Sequence, residues 1–351
     1  MNRNDIPSDV MQLLREGTVI PAHPLALDAR RRLDLRRQRA LSRYYLDAGA
    51  GGLAVGVHTT QFAIREAGLY EPVLSLAMEQ AQKWVQRPVV MIAGLSGRTE
   101  QAREEAVIAR SLGYHAGLLS LAPLARASED EQIAHCRALA KEIPLVGFYL
   151  QTAVGGPVLA PSFWRRFAEI ENVVAIKMAP FHRYRTLDVL RGVALARAED
   201  RITLYTGNDD HIVLDLLQPF ALRRGDEAVT LRIRGGLLGH WSVWTQQAVT
   251  YFRRIKTEAA GDSVSAALLA LDSQVTDANS AFFDVANDFA GCIAGCHEVL
   301  RRQGLLEGVW CLDPEEGLSP GQAQEIDRVY SDYPHLNDDA FVRANLERWL
   351  A

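Results

Sequence analysis

The run Val173-Val174-Ala175-Ile176-Lys177-Met178-Ala179-Pro180 has the composition of a parallel strand that is covered on both faces. Lys177 is the only charged residue in this run, and it lies near the carboxyl end of the predicted strand. Lysine is almost never fully buried without a partner, because desolvation of an ammonium is costly. Burial lowers the pKa of a lysine, and the neutral amine can then attack a ketone to form a Schiff base. The alternative is a lysine whose head reaches solvent or pairs with an aspartate.

Similar apolar runs recur at intervals of about 25 to 35 residues, the length of one strand–helix unit. The predicted strands are Thr18–Ala22, Gly52–Val57, Val89–Ala93, Ala116–Leu121, Leu145–Tyr149, Val173–Met178, Ile202–Thr206 and a last strand within Thr230–Leu238. Eight such units predict a closed parallel (β/α)8 TIM barrel. The alternative is an open doubly wound sheet, but no Gly-x-Gly-x-x-Gly motif follows the first strand to support a dinucleotide site.

Amphipathic segments that predict helices separate these strands. They are Ala29–Ala48, Gly68–Gln86, Thr99–Leu112, Glu129–Lys141, Pro161–Ile170, Tyr184–Ala198 and His211–Phe220. After Trp244 the pattern is helical to the end, with helices predicted at Thr245–Thr257, Ala266–Ser280, Ala281–Gln303, Ser319–Ser331 and Asp338–Leu350. We therefore predict a barrel over residues 1–258 and a C-terminal helical extension over residues 259–351.

Composition restricts the class of protein. A net charge of -5 and a pI near 6.0 give no reason to expect a nucleic-acid or anionic-membrane partner. No apolar run approaches the ~20 residues of a membrane span, and the N-terminus lacks the apolar core of a signal peptide, so we expect a cytoplasmic protein. The four cysteines are too scattered for a disulfide framework. Cys292, Cys296 and His297 lack a fourth ligand, so no metal site is predicted there.

Barrel enzymes place their sites at the carboxyl ends of the strands. Tyr149 and Lys177 end consecutive predicted strands, and neighbouring strands lie roughly 4.8 Å apart. A phenol beside a Schiff-base lysine can shuttle protons through the imine and enamine steps. The alternative for Tyr149 is a barrel tyrosine whose hydroxyl only satisfies a buried partner.

With these motifs the chain resembles the dihydrodipicolinate synthase and N-acetylneuraminate lyase family, the pyruvate-type class I aldolases. The likeness covers about residues 17 to 310. Its strongest element is Gly147-Phe148-Tyr149 followed by Val174-Ala175-Ile176-Lys177, because the separation of 28 (177 − 149) matches the spacing usual in the family. The resemblance implies that Lys177 is the Schiff-base lysine and Tyr149 the proton-relaying phenol.

Three turns extend the resemblance. His58-Thr59-Thr60-Gln61 corresponds to the family's Gly-Thr-Thr-Gly turn, which implies that Thr59 and Thr60 hold the carboxylate and that Thr59 joins the proton relay. Gly207-Asn208-Asp209 is similar to the Ser-Gly-Asp turn after strand seven, and Leu237-Leu238-Gly239 replaces Val-Ile-Ser at strand eight. The resemblance thus places Thr60, His58, Gly207, Asn208 and Leu238 among the substrate-binding residues.

Several positions depart from the family pattern. Ala122-Pro123-Leu124-Ala125 lacks the hydroxyls of the synthases' Thr-Pro-Tyr-Tyr, and Phe62 replaces a glutamate. Val154 stands where the synthases hold an arginine that contacts the carboxylate of the second substrate, and loss of such a clamp weakens binding. We therefore do not expect authentic dihydrodipicolinate synthesis.

Three hypotheses about function follow. The first is a Schiff-base lyase, an aldolase or hydro-lyase acting on pyruvate or another 2-oxo acid with no metal or organic cofactor. Its second substrate is expected to be less charged than aspartate semialdehyde, such as a sugar acid or an aryl aldehyde. The second hypothesis is a catalytically silent 2-oxo acid binding or regulatory homologue on the same barrel. The third is a metal-dependent enzyme that uses His58, His182 and Asp209.

The resemblance also implies a homo-oligomer, a dimer or tetramer.

Overall fold

The computed structural model describes residues Met1–Ala351, and a nearly closed barrel of eight parallel strands lies at its centre. The strands are β1 (Val19–Pro21), β2 (Gly52–Val55), β3 (Val90–Leu95), β4 (Ala116–Leu119), β5 (Leu145–Leu150), β6 (Val173–Ala179), β7 (Thr203–Thr206), β8 (Pro219–Arg224) and β9 (Glu227–Leu238). The sheet order is β1-β9-β7-β6-β5-β4-β3-β2, and a parallel bridge between Ala22 and Ala54 joins its two ends. Only β8 lies outside the barrel, so the predicted (β/α)8 fold is confirmed.

Helices connect the strands and continue beyond them. They are α1 (Ser8–Glu16), α2 (Leu35–Asp47), α3 (Tyr70–Lys83), α4 (Thr99–Ser111), α5 (Glu129–Leu139), α6 (Pro161–Ala168), α7 (Arg183–Leu195), α8 (Ile212–Leu217), α9 (Thr245–Ala259), α10 (Ala266–Phe282), α11 (Cys292–Arg302), α12 (Gln322–Asp332) and α13 (Asp339–Leu350). Helices α10 to α13 form the C-terminal helical extension. None of the helices is both long and apolar enough to cross a bilayer.

Alternation along the strands separates two apolar cores. In β6, Ala175 and Ala179 belong to a core of 19 residues inside the barrel, whereas Ile176 and Met178 belong to a core of 87 residues between the strands and the helices. The outer core continues into the extension through residues such as Trp349. The extension therefore packs on the barrel through one continuous core, and a domain boundary near residue 259 stays a prediction.

Helix α1, which the sequence pattern did not indicate, covers one end of the barrel. Val10 and Leu14 of this helix, with Ile6 just before it, join the inner core together with residues from the early part of the strands such as Val90 and Val146. This helix leaves the opposite end of the barrel, where the strands finish, as the place for chemistry.

Three predicted helices are wrong in part. The segment Ala29–Ala48 is helical only from Leu35, because Asp34 caps the helix by accepting the Arg37 amide at 3.0 Å. The segment Ala281–Gln303 is not one helix: Ala281 and Phe282 end α10, and α11 begins only at Cys292. The turn between these helices contains left-handed residues, including Asp284 and Asp288 with φ values of 57° and 52°. Aspartate tolerates this conformation, and the Asp284 carboxylate stabilises the turn by accepting the Gly291 amide at 2.9 Å. The segment His211–Phe220 ends as a helix at Leu217, after which β8 pairs antiparallel with β9.

Candidate active site

Lys177 lies inside the barrel near the carboxyl end of β6, and its residue is only 7% exposed. Its Nζ sits 4.5 Å from the centroid of the Phe148 ring, and no carboxylate oxygen lies within 4.0 Å of it. Burial lowers the pKa of Lys177 to about 8, an effect that the negative charge of Asp209 partly opposes. Roughly a tenth of this amine is therefore neutral and nucleophilic at pH 7, far more than for a solvated lysine.

A small cavity of about 40 Å³ surrounds this amine at the mouth of the barrel. The residues that line it are Ala22, Val57, His58, Thr59, Phe148, Leu150, Gln151, Val154, Lys177, Ala179, Phe181, Gly207, Asp209, Gly239, Phe283 and Cys292. Most of these side chains are apolar or small, and no arginine is among them. The cavity has room for only a few water molecules, so a substrate has to displace side chains at the mouth.

The polar groups in the cavity are short of partners. The side chains of Lys177, Thr59, His58 and Gln151 make no hydrogen bond within the protein, and the Asp209 carboxylate makes one. These polar atoms face the cavity, and several polar groups that converge in a largely apolar cavity are typical of a ligand site. The arrangement therefore offers a nucleophile and several proton donors or acceptors to one small molecule.

The turn after β2 brings His58 and Thr59 to Lys177. Burial and the nearby Lys177 charge lower the pKa of His58 to about 4, so its imidazole is neutral at neutral pH. Thr59 is buried, and its Oγ1 faces Gly239, whose added Cβ would lie 3.5 Å from it. Both residues line the cavity, and their roles in substrate binding and proton transfer stay predictions.

Gly207 provides space for the lysine. A Cβ at this position would lie 2.4 Å from Cε of Lys177 and 2.8 Å from Cβ of Ala179. Any side chain at position 207 would therefore push the amine out of its place. Gly207 lines the cavity, as the resemblance implied, although it meets the lysine rather than an open subsite.

Tyr149 does not meet Lys177, and its predicted place in the site is wrong. In the β5–β6 register Phe148 pairs with Lys177 and Tyr149 pairs with Met178, so Tyr149 points to the outer face. Its ring lies 5.2 Å from that of Trp164, and its hydroxyl donates to the Leu159 carbonyl and accepts the Leu159 amide, both at 3.2 Å. A register shift between Leu145 and Val146 precedes this segment, and one residue of slip exchanges the two faces of a strand.

Thr60 supports the site but does not line it. Its hydroxyl donates to the His23 carbonyl at 2.6 Å and accepts the Gly56 and Val57 amides at 3.0 and 3.2 Å. Thr60 therefore folds the turn that presents Thr59. The prediction that it contacts substrate is not supported by this geometry, because its hydroxyl is fully engaged.

Asn208 and Leu238 also lie outside the cavity. The Asn208 side chain accepts the Phe181 amide at 3.1 Å and donates to Asp215 at 3.0 Å, so it fixes the loop after β6. Leu238 belongs to the outer core, whereas the next residue, Gly239, lines the cavity. The residue that lines the cavity at the end of β9 is therefore Gly239, one position after the predicted Leu238.

The Asp209 carboxylate, to which the sequence assigned no role in the Schiff-base hypothesis, also lines the cavity. It is 4% exposed, and its Oδ1 accepts the His240 amide at 2.8 Å. Burial raises the pKa of Asp209, and the positive charge of Lys177 acts in the opposite direction. The carboxyl group thus shares the cavity with the amine without forming a close ion pair.

The lining residues that were not predicted from sequence include three aromatic residues, Phe148, Phe181 and Phe283. Phe148 follows from the alternation of β5 once the register is known. Phe283 and Cys292 come from the C-terminal helical extension, and no local pattern connects them to the barrel mouth. Phe181, in a left-handed conformation with φ of 49°, touches Phe289 with ring centroids 5.9 Å apart. Phe148, Phe181 and Phe283 line the cavity, whereas Phe289 does not.

The structure provides no set of ligands for the hypothesis of a metal-dependent enzyme. No group of three or more His, Cys, Asp and Glu side chains is placed to hold a metal ion. His182 does not join His58 and Asp209, since its ring caps α7 by accepting the Arg185 amide at 3.4 Å.

Comparison with known proteins adds a family match. The model of the dihydrodipicolinate synthetase family matches residues 16–221. The 4-hydroxy-tetrahydrodipicolinate synthase of Persephonella marina is 24% identical over 205 residues, which cover 57% of this chain and 60% of that protein. The enzyme of the same name from Synechocystis sp. is 34% identical over 132 residues, 36% of this chain and 41% of that protein. The chain therefore aligns with less than two thirds of either relative.

Solved structures agree over a longer span. Dihydrodipicolinate synthase from Bacteroides thetaiotaomicron superposes with a TM-score of 0.73 at 15% identity, covering 90% of this chain and 98% of that one. CdNal from Clostridium difficile, in complex with mannosamine, gives a TM-score of 0.72 at 15% identity and covers 90% of this chain and 99% of that one. At such identities the likeness shows the fold alone.

Proposed function

Since the chain belongs to the dihydrodipicolinate synthetase family, we propose that it is a Schiff-base-forming lyase of the class I aldolase type, acting on pyruvate or another 2-oxo acid. The observation that carries the proposal is the buried amine of Lys177, which has a lowered pKa and no ion-pair partner in a cavity of unpaired polar groups. Such a lysine is costly for the fold and is suited to nucleophilic attack.

The chemistry follows from the amine. Neutral Lys177 adds to the ketone carbon, and loss of water from the carbinolamine gives an iminium ion. The iminium withdraws electrons from the neighbouring carbon, so that a proton or an aldehyde can leave and an enamine remains. Carbon–carbon cleavage, condensation or dehydration can proceed through this enamine. The iminium itself is the electron sink, so the proposed steps need no metal or organic cofactor.

The turn at His58 and Thr59 is the proposed holder of the 2-oxo acid carboxylate. The Thr59 hydroxyl has no partner within the protein and lines the same cavity as Lys177. The proposed second substrate has an uncharged, apolar or aryl body, because Phe148, Leu150 and Val154 line the cavity and no arginine does. An aryl aldehyde fits this lining better than a sugar acid, whose carboxylate would find no arginine in the cavity.

Borohydride reduction tests the Schiff base directly. The chain has four lysines, so mass spectrometry of digested protein can assign the adduct. Wild type incubated with pyruvate and borohydride is expected to gain the reduced adduct at Lys177. Lys177→Ala should gain none there, and Lys256→Ala, which removes an exposed lysine, should behave as wild type. Failure of a broad panel of 2-oxo acids to label Lys177 in folded protein would contradict the proposal.

A catalytically silent 2-oxo acid binding protein is the second candidate. The observation that favours it is Phe148, which faces Lys177 and has no hydroxyl to relay protons. Exchange of the C3 protons of pyruvate with D₂O, followed by NMR, separates the two candidates. An enzyme that forms the enamine exchanges these protons, whereas a binding protein is labelled by borohydride without exchange.

Family membership is also the basis for proposing a cytoplasmic homo-oligomer, either a dimer or a tetramer. Sedimentation velocity of the full chain tests the assembly. A single species with the mass of one 38.9 kDa chain across micromolar concentrations would contradict it.

A further inference from the structure

The cavity contains one carboxylate, and it belongs to Asp209. This residue follows β7, the neighbour of the β6 strand that carries Lys177. Gly207, which makes room for the lysine side chain, lies two residues before it in the same turn. The turn after β7 therefore places the Asp209 carboxylate in the same cavity as the Lys177 amine.

Contacts hold the Asp209 carboxylate in a defined orientation. Oδ1 accepts the His240 backbone amide at 2.8 Å, and the Asp209 amide donates to the Gly207 carbonyl at 3.1 Å. Oδ2 makes no hydrogen bond within the protein. A carboxylate with one oxygen fixed by the backbone and the other free in a cavity is arranged for proton transfer to a ligand.

We propose that Asp209 is the catalytic acid–base residue of this site, carrying out the proton transfers that the outward-facing Tyr149 cannot perform. The inference rests on the proposed Schiff base at Lys177. In this arrangement Asp209 transfers protons at the reacting atoms, and Thr59 binds the carboxylate of the substrate.

The proton balance needs no further reactant. Lys177 adds to the ketone, and its amine proton passes to the new alkoxide to give the carbinolamine. Protonated Asp209 then gives its proton to the carbinolamine hydroxyl, the carbon–oxygen bond breaks, and water leaves as the iminium forms. Ionised Asp209 next removes a proton from C3, and the electron pair of the carbon–hydrogen bond forms the enamine. Asp209 is protonated again and returns that proton, or one from solvent, to C3.

The surroundings of Asp209 support both protonation states. The groups that influence it from the packed elements are Lys177, Asp210, Tyr251, Cys292 and Cys296. Burial and the nearby Asp210 charge raise the pKa of Asp209, whereas Lys177 and the His240 amide lower it. A carboxyl group whose pKa is raised toward neutrality can act as acid and then as base.

His58 is the competing proton carrier. Its pKa is lowered to about 4, so near neutral pH it lacks the acidic imidazolium proton that dehydration would need. It can accept a proton but is poorly suited to the dehydration step, which needs an acid. Asp209 is the better acid because its pKa moves in the opposite direction.

The test is Asp209→Asn, which keeps the shape and an oxygen for the His240 amide but cannot carry a proton between steps. The neighbouring carboxylate provides the control Asp210→Asn, since Asp210 is exposed and does not line the cavity. Thermal unfolding checks that both variants fold. We expect Asp209→Asn to exchange the C3 protons of pyruvate about 100-fold more slowly than wild type, with borohydride labelling of Lys177 still detected. Asp210→Asn should stay within threefold of wild type.

Asp209→Glu provides a second, conservative variant, and it should recover exchange to within about tenfold of wild type. The proposal is overturned if folded Asp209→Asn exchanges protons as fast as wild type. It is also overturned if Asp210→Asn loses as much activity, or if the glutamate variant is no faster than the asparagine variant. Absence of labelling in the wild type would instead remove the Schiff base itself, so the two failures are distinguishable.

Discussion

Lys177 and Phe148 face each other across adjacent strands, with Nζ of the lysine 4.5 Å from the centroid of the phenylalanine ring. A cation at this distance from a ring face is stabilised by roughly 0.5–2 kcal/mol. The Phe148 ring therefore stabilises the protonated form of the buried Lys177 amine, although it cannot accept a proton from this amine. This relationship explains why the amine tolerates the barrel interior without an ion pair and why proton transfer has to use another residue.

Tyr149→Phe is expected to leave labelling of Lys177 by pyruvate and borohydride unchanged within threefold. The hydroxyl bonds only to the Leu159 backbone, so its removal should instead lower the free energy of unfolding by about 1–2 kcal/mol. Labelling kinetics and urea denaturation measure the two effects. A loss of labelling by tenfold or more would show that Tyr149 faces the amine after all.

Gly207→Ala is expected to slow labelling about 100-fold, because a displacement near 1 Å is enough to disrupt a reacting group. The added Cβ would lie 2.4 Å from Cε of Lys177. Gly317→Ala is a matched control, since no atom lies within 4 Å of its added Cβ. Equal labelling rates for the two variants would contradict the close contact between position 207 and the lysine.

The rate of Schiff-base formation should increase with pH until the amine is neutral near pH 8, and it should then fall because ionised Asp209 cannot donate the proton that dehydration needs. Only the neutral amine attacks a ketone, and burial lowers the pKa of Lys177 from 10.5 to about 8. Acidification below this value protonates the amine and lowers the rate about tenfold per pH unit. Initial rates of labelling at fixed pyruvate concentration measure the profile. A rate that continues to rise steeply to pH 10 would indicate a solvated lysine.

Glu105→Gln should lower the free energy of unfolding by about 3 kcal/mol, because it leaves a buried guanidinium without its charge partner. Glu105 and Arg65 form an ion pair at 2.8 Å with side chains only 6% and 8% exposed. Arg65 also donates to the Gly94 carbonyl at 3.0 Å, beside the turn that carries Thr59.

The control for this variant is Glu100→Gln, whose side chain is 82% exposed. It should change the free energy of unfolding by less than about 0.5 kcal/mol. Urea denaturation of both variants gives the comparison. Similar values for the two would mean that the buried pair contributes little to the turn.

The sequence was sufficient for the barrel because strands covered on both faces are continuous apolar runs, which are visible without tertiary information. It also identified Lys177, since a lysine within such a run has few structural explanations. It could not decide which face Tyr149 occupies, because a register shift at Leu145 exchanges inside and outside while leaving the spacing of 28 residues unchanged.

Contacts between distant segments were beyond prediction for a different reason. Phe283 and Cys292 reach the cavity only because the C-terminal helical extension folds back over the barrel mouth. The predicted helix Ala281–Gln303 concealed the left-handed turn that makes this possible, in which Asp288 and Phe289 have φ values of 52° and 67°. Such a turn depends on tertiary contacts that no periodic pattern records.

A crystal structure of the protein soaked with pyruvate tests whether Lys177 bonds covalently to the ketone. We expect continuous electron density between Nζ of Lys177 and the C2 carbon of the ligand, with the ligand carboxylate beside Thr59 and the free oxygen of Asp209 facing C3. Pyruvate bound in the cavity at van der Waals distance from an unmodified Lys177, or bound only elsewhere on the protein, would contradict it.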